Sequence, residues 1–485
     1  MTAMDLIVIL PELILVVAGC LALVVEPYLK KDKTAAVTIV ATALVASGAV
    51  AFGLAGETRA AFGNMVVLND YAVFFKVLFA VAGVITVLMS PRYLAAYDRH
   101  LGEYYALLLF AIVGMDIMAA ARDLMAFYVG LELMAVSSYL LAGFFRYHAR
   151  SNEAALKYFL TGAFASAITL YGLSLVYGFA GATNYQQIGQ ALQATGNTTA
   201  IALATALVVV GTGFKVSMAP FHMWTPDVYQ GAPTPVAGFF SVGPKAAGFS
   251  AILMLFLTVL DVSRSTWSIL FIVLAVLTMA VGNLFALAQK NIKRMLAYSS
   301  IAHVGYLAAG LGALGRADDD LAGQAILLYL AAYTFMNLGA FAILACLKTQ
   351  DPAGHGYTLA EFAGLARRAP WAAVLMSLFM FSLTGIPGTA GFIGKFYLFN
   401  AVVRADLAWL AVLAVIFSAV SAYYYLRVIM YMFFREPERE YVPREAIGGP
   451  LAAALALCAA GVIFIGLLPG SLWDAAVSSF GNFFG

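Results

Sequence analysis

Apolar runs long enough to cross a bilayer recur along almost the whole chain, and short polar segments separate them. A transmembrane helix needs about 20 consecutive, mainly apolar residues. Such runs fall roughly at 4–26, 34–54, 72–90, 104–120, 123–145, 154–180, 200–222, 236–260, 267–288, 295–314, 322–347, 371–401, 407–434 and 449–468. The pattern predicts an all-α polytopic membrane protein with about fourteen transmembrane helices.

One of these runs is interrupted within the stretch GTGFKVSMAPFHMWTPDVYQGAPTP, residues 211–235. Lys215 lies well inside the apolar run, and Pro220 removes a backbone donor shortly afterwards. A lysine in hydrocarbon costs a few kcal/mol at least, and broken backbone is tolerated there only against protein or a water-filled cavity. The break therefore predicts a hydrated ion or proton path. A kinked helix with a snorkelling Lys215 is the less favoured alternative, because the lysine is far from the end of the run.

A second interruption lies in LTGIPGTAGFIGKFYLF, residues 383–399. Gly385, Pro387 and the glycines that follow them disfavour a regular helix, and Lys395 comes just after the break. The two broken spans are an odd number of spans apart. They are the seventh and the twelfth, so they are five spans apart. A unit with an odd number of membrane-spanning helices and the copy that follows it cross the membrane in opposite directions. The spacing therefore predicts two inverted five-helix repeats, an arrangement common in transporters.

The predicted organisation has four parts: an N-terminal three-helix segment (1–100), a first five-helix repeat (101–265), a second inverted repeat (266–435) and a C-terminal helix (436–485). Basic residues between the spans set the expected orientation. With the N-terminus outside, most of them, such as Lys30, Arg146, Lys290 and Arg439, fall in inside loops. The positive-inside rule then places both termini outside.

Composition agrees with the membrane class and excludes others. The chain of 485 residues is 63% hydrophobic and 11% charged, with a mean hydropathy of +0.91. A net charge of +2 and the lack of a basic run give no sign of nucleic-acid binding. Cys20, Cys346 and Cys458 lie in apolar runs without metal-ligand spacing, so we expect no metal, iron–sulfur cluster or disulfide on this chain.

The candidate chemistry is a set of ionisable residues inside predicted spans. They are Glu132, Lys157, Lys215, Lys245, His303 and Lys395. Burial disfavours a charged lysine and a nearby carboxylate favours it, so a movable acid can make a buried lysine take up and release a proton. This set predicts a proton relay. Two alternatives stay open: Lys157 is near a helix end and could snorkel, and His303 could be hydrogen-bonded structurally to a neighbouring helix.

Other ionisable residues in the apolar runs have simpler explanations. We expect Glu12 to be an interfacial cap, Lys76 to reach the interface from the start of its span, and Asp116 to be structural.

Three stretches closely resemble the antiporter-like subunits of respiratory complex I: FHMWTPDVYQGAPTPVAGFFSVGPKAA, KRMLAYSSIAHVGYL and TGIPGTAGFIGKFYLF. These subunits are similar in turn to components of multi-subunit cation/proton antiporters. Within the family, WTPDVYQGAP and Lys395 resemble the N type, because the M type has a glutamate in place of this lysine. The end of the sequence soon after the last predicted span, without a long lateral helix, also favours the N type over the L type.

The resemblance implies a role for each candidate. Glu132 would pair with Lys157, Lys215 would be the central lysine, Lys245 its neighbour, and Lys395 the terminal lysine, with His303 on the axis between them. It also implies a proton-translocating subunit of NADH:quinone oxidoreductase in the bacterial inner membrane, surrounded by lipid and other membrane subunits. NADH, FMN, iron–sulfur clusters and quinone would belong to other subunits. The alternative is a cation/proton antiporter subunit without a link to a redox enzyme.

Overall fold

The computed structural model describes residues 3–28, 34–95, 97, 102–196, 198–317, 319–347, 357–436 and 449–483. Within these residues the chain forms twenty α-helices and one small β-hairpin. A helix satisfies its backbone hydrogen bonds within the segment, which a bilayer requires of a lipid-exposed spanning element. The predicted all-α, polytopic membrane architecture is confirmed.

The helices are named in chain order. The first eight are α1 (Ala3–Val8), α2 (Leu10–Val25), α3 (Thr34–Gly53), α4 (Asp70–Ala95), α5 (Gly102–Ala120), α6 (Leu124–Ala142), α7 (Ala149–Ala180) and α8 (Tyr185–Thr195). The next six are α9 (Thr199–Val216), α10 (Trp224–Gly231), α11 (Thr234–Met254), α12 (Arg264–Leu287), α13 (Ile292–Leu314) and α14 (Leu321–Cys346). The last six are α15 (Leu365–Arg368), α16 (Pro370–Thr384), α17 (Ala390–Arg404), α18 (Ala408–Phe434), α19 (Gly449–Leu467) and α20 (Gly470–Gly481).

Eleven helices in the described ranges are long and apolar enough to cross a membrane. Two further apolar helices, Leu10–Val25 and Pro370–Thr384, are shorter. The total of about fourteen spans depends on how short and broken helices are grouped, so it stays a prediction, as do the inverted repeats and the orientation. The predicted boundary at residue 100 and the loop residues Lys30 and Arg439 lie outside the described residues, and the boundary at 265 falls in the first turn of α12.

Two helices form the centre of the bundle. In α11 and α14, 94% of the most apolar stretch is buried, whereas in α3 and α18 only 33% is buried. Lipid tails are as apolar as leucine, so the outer helices can expose apolar side chains to the bilayer. The central helices can therefore carry polar side chains away from lipid, and Lys245 on α11 is one of these.

The structure contains three small elements that were not predicted. Strand β1 (Arg59–Ala61) pairs antiparallel with β2 (Val66–Leu68), and α8 and α20 are short amphipathic helices. In α8, Asn184 caps the N-terminus, and Tyr185, Ile188 and Leu192 form a buried stripe at helical spacing. These elements are too short to appear in a search for apolar runs of bilayer length.

Candidate functional site

The first interruption lies between α9 and α10. At the end of α9, Ser217 adopts a left-handed conformation with a φ of 68°. Neighbouring groups take up hydrogen-bonding atoms around the break: Ala219 N–H donates to Thr278 Oγ1 at 3.0 Å. Trp224 Nε1 donates to Phe214 O at 3.2 Å. The broken helix is thus held against protein, as membrane depth requires.

Lys215 lies in the last turn of α9 and is only 6% exposed. Within the described part of the chain its Nζ has no hydrogen-bond partner, and it lies 5.7 Å from the centroid of the Tyr139 ring. A cavity of about 10 Å³ beside it is lined in part by Thr169 and Thr212, which is room for about one water molecule. The acid whose charge acts on Lys215 is Glu132. A buried amine within the electrostatic influence of an acid, with room for a water molecule beside it, is suited to gaining and losing a proton.

Glu132 lies half-buried on α6 and accepts a hydrogen bond from Ser166 on α7. The Tyr128 hydroxyl lies 3.3 Å from the same Ser166 Oγ. Lys157 lies nine residues before Ser166 on α7, which is about 14 Å along the helix axis. The expected Glu132–Lys157 pair is therefore wrong, because Glu132 lies at the level of Ser166 and Lys157 pairs with other acids.

Lys157 belongs instead to an ion-pair cluster beside α10. Its Nζ lies 2.6 Å from Glu153 Oε1 and 2.7 Å from Asp227 Oδ2. Asp227 also pairs with Arg294 Nη1 on α13 at 2.5 Å, and Arg294 donates to Gln230 Oε1 at 3.1 Å. The Lys157 side chain is 43% exposed, as the snorkelling alternative predicts. The cluster ties the second half of the broken helix to α7 and α13.

Lys245 lies at the centre of the bundle on α11. Its Nζ donates to Ser300 Oγ at 2.5 Å and lies 5.8 Å from the centroid of the Tyr229 ring. One turn further along α11, a Cβ at Gly248 would lie 3.9 Å from the Cβ of Lys215. Helices α9 and α11 therefore pack closely at this glycine, which brings Lys215 and Lys245 onto adjoining helix surfaces.

His303 is buried on α13, one turn from the residue that binds Lys245. Its Nδ1 lies 2.6 Å from the Tyr329 hydroxyl, and its Nε2 lies 3.1 Å from the Tyr425 hydroxyl. The charges that act on the ring are those of Lys395 and Lys245. His303 thus makes the interhelical hydrogen bonds of the structural alternative, and its membership of the relay stays a prediction.

The second interruption follows α16, where Gly385 has a φ of 92°. Lys395 lies beyond it on α17 and is buried. Its Nζ donates to Leu383 O at 3.0 Å, Thr384 O at 2.9 Å and Ser418 Oγ at 2.8 Å. The last carbonyls of a helix lack intrahelical donors and carry partial negative charge, so they favour a cation here.

Lys293, a further buried lysine, was missed. It lies at the start of α13, is 3% exposed, donates to Ala232 O at 2.8 Å and lies 5.4 Å from the Tyr357 ring centroid. In the sequence it stands between Lys290 and Arg294, where it resembles a loop residue. Its burial depends on distant segments that pack over it, so no local signal could have revealed it.

The expectations for Glu12 and Lys76 are wrong. Lys76 is 2% exposed, Glu12 is 5% exposed, and Lys76 Nζ lies 2.6 Å from Glu12 Oε1. Packing of α2 and α4 with α5 encloses both residues away from the interface. Asp116 on α5 is 1% exposed, and its charge interacts with both of them.

Neither a disulfide nor a metal site is formed by the described side chains. Cys20, Cys346 and Cys458 are free cysteines in apolar helices. The described ranges contain no group of three or more His, Cys, Asp or Glu side chains that could hold a metal ion.

Comparison with known proteins identifies the family. The family model described as "NADH:quinone oxidoreductase/Mrp antiporter, TM" matches residues 121–421. NADH-quinone oxidoreductase subunit N of Trichlorobacter lovleyi is 46% identical over 473 residues, with 97% of this chain and 96% of that protein covered. A chain in the structure of respiratory complex I from Thermus thermophilus with bound aureothin is 35% identical, with a TM-score of 0.81 and 96% and 99% of the two chains covered.

A chain of the Mrp complex from Dietzia sp. DQ12-45-1b is 21% identical, with a TM-score of 0.84 and 100% and 98% of the two chains covered. At this identity the likeness shows the fold alone. The family model and the subunit N relatives together are decisive: this chain belongs to the NADH:quinone oxidoreductase/Mrp antiporter family and, within it, to the subunit N group of NADH-quinone oxidoreductase.

Proposed function

We propose that this chain translocates protons across the membrane while electrons pass from NADH to quinone on other subunits of NADH:quinone oxidoreductase. The chain is then part of an enzyme without a redox centre of its own. NADH, FMN, the iron–sulfur clusters and quinone bind elsewhere in the complex. The partners of this chain are other membrane subunits, including related antiporter-like ones, in the bacterial inner membrane, with both termini on the outer side.

One observation carries this proposal. The Lys215 amino group is buried at a helix break, next to a small cavity lined in part by two threonines and under the charge of Glu132, and no described residue accepts a hydrogen bond from it. A lysine that served only to hold the fold would be expected to donate to fixed acceptors. Lys215 is instead placed to exchange its proton through water.

The remaining buried residues extend the path from Lys215 towards the second break. Lys245 follows on the adjoining helix and donates to Ser300. His303 comes next, one turn from Ser300 and between the charges of Lys245 and Lys395. Hydroxyl groups and imidazole can both donate and accept protons, so they can connect the lysines where no ammonium group faces another directly.

Lys157 has a different role in this proposal. Its partners Glu153 and Asp227 are ionised groups at a partly exposed position, so Lys157 positions α10 and does not pass protons within the buried path. Glu132 acts on the protonation of Lys215. The charged form of Lys215 becomes more or less favourable when the charge of Glu132 or its distance from Lys215 changes.

A cation/proton antiporter subunit without a redox partner is the alternative function. The family includes Mrp antiporters, and the Mrp chain has the same fold. The full-length relatives at 46% identity favour the oxidoreductase. Purification of this chain with its native partners distinguishes the two functions: the oxidoreductase predicts flavin and iron–sulfur subunits in the same particle, and their absence would support the antiporter.

The direct test is Lys215→Met in the complete complex, reconstituted into vesicles. We expect the number of protons translocated per electron to fall by the share that this chain carries, because a positioned proton-transferring side chain contributes about 10²–10⁴-fold to the rate of its step. Lys290→Met is the matched control, because Lys290 is an exposed lysine in a loop, and it should leave the ratio unchanged. An assembled Lys215→Met complex with a normal ratio would contradict the proposal.

A further inference from the structure

Three ionisable side chains outside the proposed path are buried on the neighbouring helices α2, α4 and α5. Glu12 is 5% exposed, Lys76 2% and Asp116 1%. Lys76 Nζ lies 2.6 Å from Glu12 Oε1, so these two residues form a buried ion pair with no net charge. Asp116 adds a second carboxyl group, and the charges that act on it are those of Glu12 and Lys76.

Among the described residues, no other charge balances this cluster. Helix α3, which packs on α2 and α4, has no ionisable residue. The charged residues elsewhere on these helices and on the elements packed against them are Asp5, Glu26, Asp70, Arg92, Glu103, Glu132, Lys245 and Asp474. None of them, and none of the tyrosines and cysteines of these helices, is among the groups that act on Asp116. One ammonium group therefore faces two carboxyl groups.

One oxygen atom of each carboxyl group in the cluster lacks a hydrogen-bond donor among the described residues. Glu12 Oε2 and Asp116 Oδ1 are buried and have no hydrogen-bond partner among the described residues. Both atoms are acceptors when the carboxyl groups are ionised, so neither can satisfy the other. A proton on one carboxyl group turns it into a donor and also removes the excess negative charge. Two carboxyl groups that share a buried site do not both ionise, for the same reason.

Apolar packing separates the cluster from the nearest surface. Lys76 lies less than two turns after the start of α4, which follows the β-hairpin directly. A small hydrophobic cluster lies on the hairpin side of Lys76, and it includes Val8, Val66, Leu68, Val73 and Ala120. This packing keeps the site at low dielectric, where an unpaired carboxylate is costly.

We propose that Glu12, Lys76 and Asp116 form a buried proton-binding site that holds one exchangeable proton between its two carboxyl groups near neutral pH. The ligand is the proton alone. The site is separate from the Lys215 path and does not depend on the function proposed for that path.

Infrared difference spectroscopy of the purified complex tests the proposal without use of turnover. A protonated carboxyl group has a carbonyl stretch that is distinct from the bands of a carboxylate and that shifts in D₂O. At neutral pH, Asp116→Asn should remove one such band, and so should Glu12→Gln, because either change leaves one carboxylate paired with Lys76. Lys76→Met should add a second protonated carboxyl band, because both acids must then be neutral.

The control is Glu103→Gln, which removes an exposed carboxyl group from the same helix as Asp116 and should alter only carboxylate bands. The site would be overturned if Asp116→Asn and Glu12→Gln both left the protonated-carboxyl bands unchanged, or if the band did not shift in D₂O. The two isosteric amide variants give independent readings, so a failure of one to assemble leaves the other as the test.

Discussion

The two broken helices hold their lysines in opposite ways. At the first break, Lys215 precedes the interruption, has no hydrogen-bond partner among the described residues and feels the charge of Glu132. At the second, Lys395 follows the interruption and donates to Leu383 O, Thr384 O and Ser418 Oγ. A similar sequence pattern, a lysine beside a Pro- or Gly-rich break, thus leads to two different environments for the ammonium group.

This difference indicates which of the two lysines can change its charge when a neighbouring group changes. No acid in the described part of the chain acts on Lys395, and the carbonyls at the end of α16 fix its amino group in place. Lys215 has an acid partner and space but no fixed acceptor. We infer that a change in Glu132 can alter the charge of Lys215, whereas no described acid is placed to do the same for Lys395.

After Lys215→Met, the largest expected effect is that of Lys215→Arg. Arginine cannot be deprotonated in a protein, so a residue that must lose its proton during turnover cannot be replaced by it. We expect protons per electron in the reconstituted complex to fall nearly as far as in Lys215→Met.

The larger guanidinium group could act by steric misfit alone, so Lys215→Gln is the control. It is neutral and smaller than arginine, and the relay requires it to be impaired too. Native gels check assembly in each case. A normal ratio in assembled Lys215→Arg would mean that Lys215 keeps its proton throughout, and the path would then run through water without it.

A smaller effect is expected from Glu132→Gln. The substitution keeps the size of the side chain and removes the one acid charge that acts on Lys215. We expect protons per electron to fall, but less than in Lys215→Arg, because Lys215 can still lose its proton and lacks only the carboxylate that favours its charged form. Glu153→Gln is the matched control, because Glu153 is an exposed acid that pairs with Lys157. Equal ratios in the two variants would remove Glu132 from the site.

How much of this could be predicted from the sequence depended on whether the signal was local. The two breaks and their lysines are visible because Pro220, Gly385 and the lysines are close together along the chain. The partners were not visible. Lys157 pairs with Asp227 and not with Glu132, because the register between α6 and α7 is set by packing along their whole length.

The same limit explains the other errors. Lys76 looked able to reach the interface, but α2 and α5 enclose it beside Glu12. Lys293 looked like a loop residue, but a segment more than 60 residues away, near Tyr357, packs against it. The resemblance to complex I subunits correctly indicated the family and the N type, since whole motifs, unlike single residues, carry information about distant contacts.

Lys395→Met should weaken the structure where Lys215→Met does not. Removal of the Lys395 amino group leaves the buried carbonyls Leu383 O and Thr384 O without this donor, at about 1–3 kcal/mol for an unsatisfied buried group. Removal of the Lys215 amino group should cost less stability, because it donates to no described acceptor and its loss leaves no carbonyl without a donor. Thermal inactivation of the purified complexes measures the difference, and equal midpoints for the two variants would contradict the contrast between the breaks.

The smallest expected effects come from the left-handed residues that end the two half-helices. At Gly385, φ is 92°, and an added Cβ would lie 3.1 Å from Lys395 Cδ and 3.4 Å from Lys395 Nζ. Gly385→Ala should therefore destabilise the second break by about 1–2 kcal/mol, the cost of a left-handed conformation for a residue with a side chain.

At the first break the residue is Ser217, which already bears this strain at a φ of 68°. Ser217→Gly relieves the strain, but it also removes the hydroxyl that accepts from Thr225 Oγ1 at 2.8 Å, a loss of about 0.5–1.5 kcal/mol. The two terms nearly cancel, so we expect a thermal midpoint close to that of the unmodified complex. A clear fall in Ser217→Gly with none in Gly385→Ala would reverse the comparison: the first break would then be the one held by fixed contacts, and the second the one with freedom to adjust.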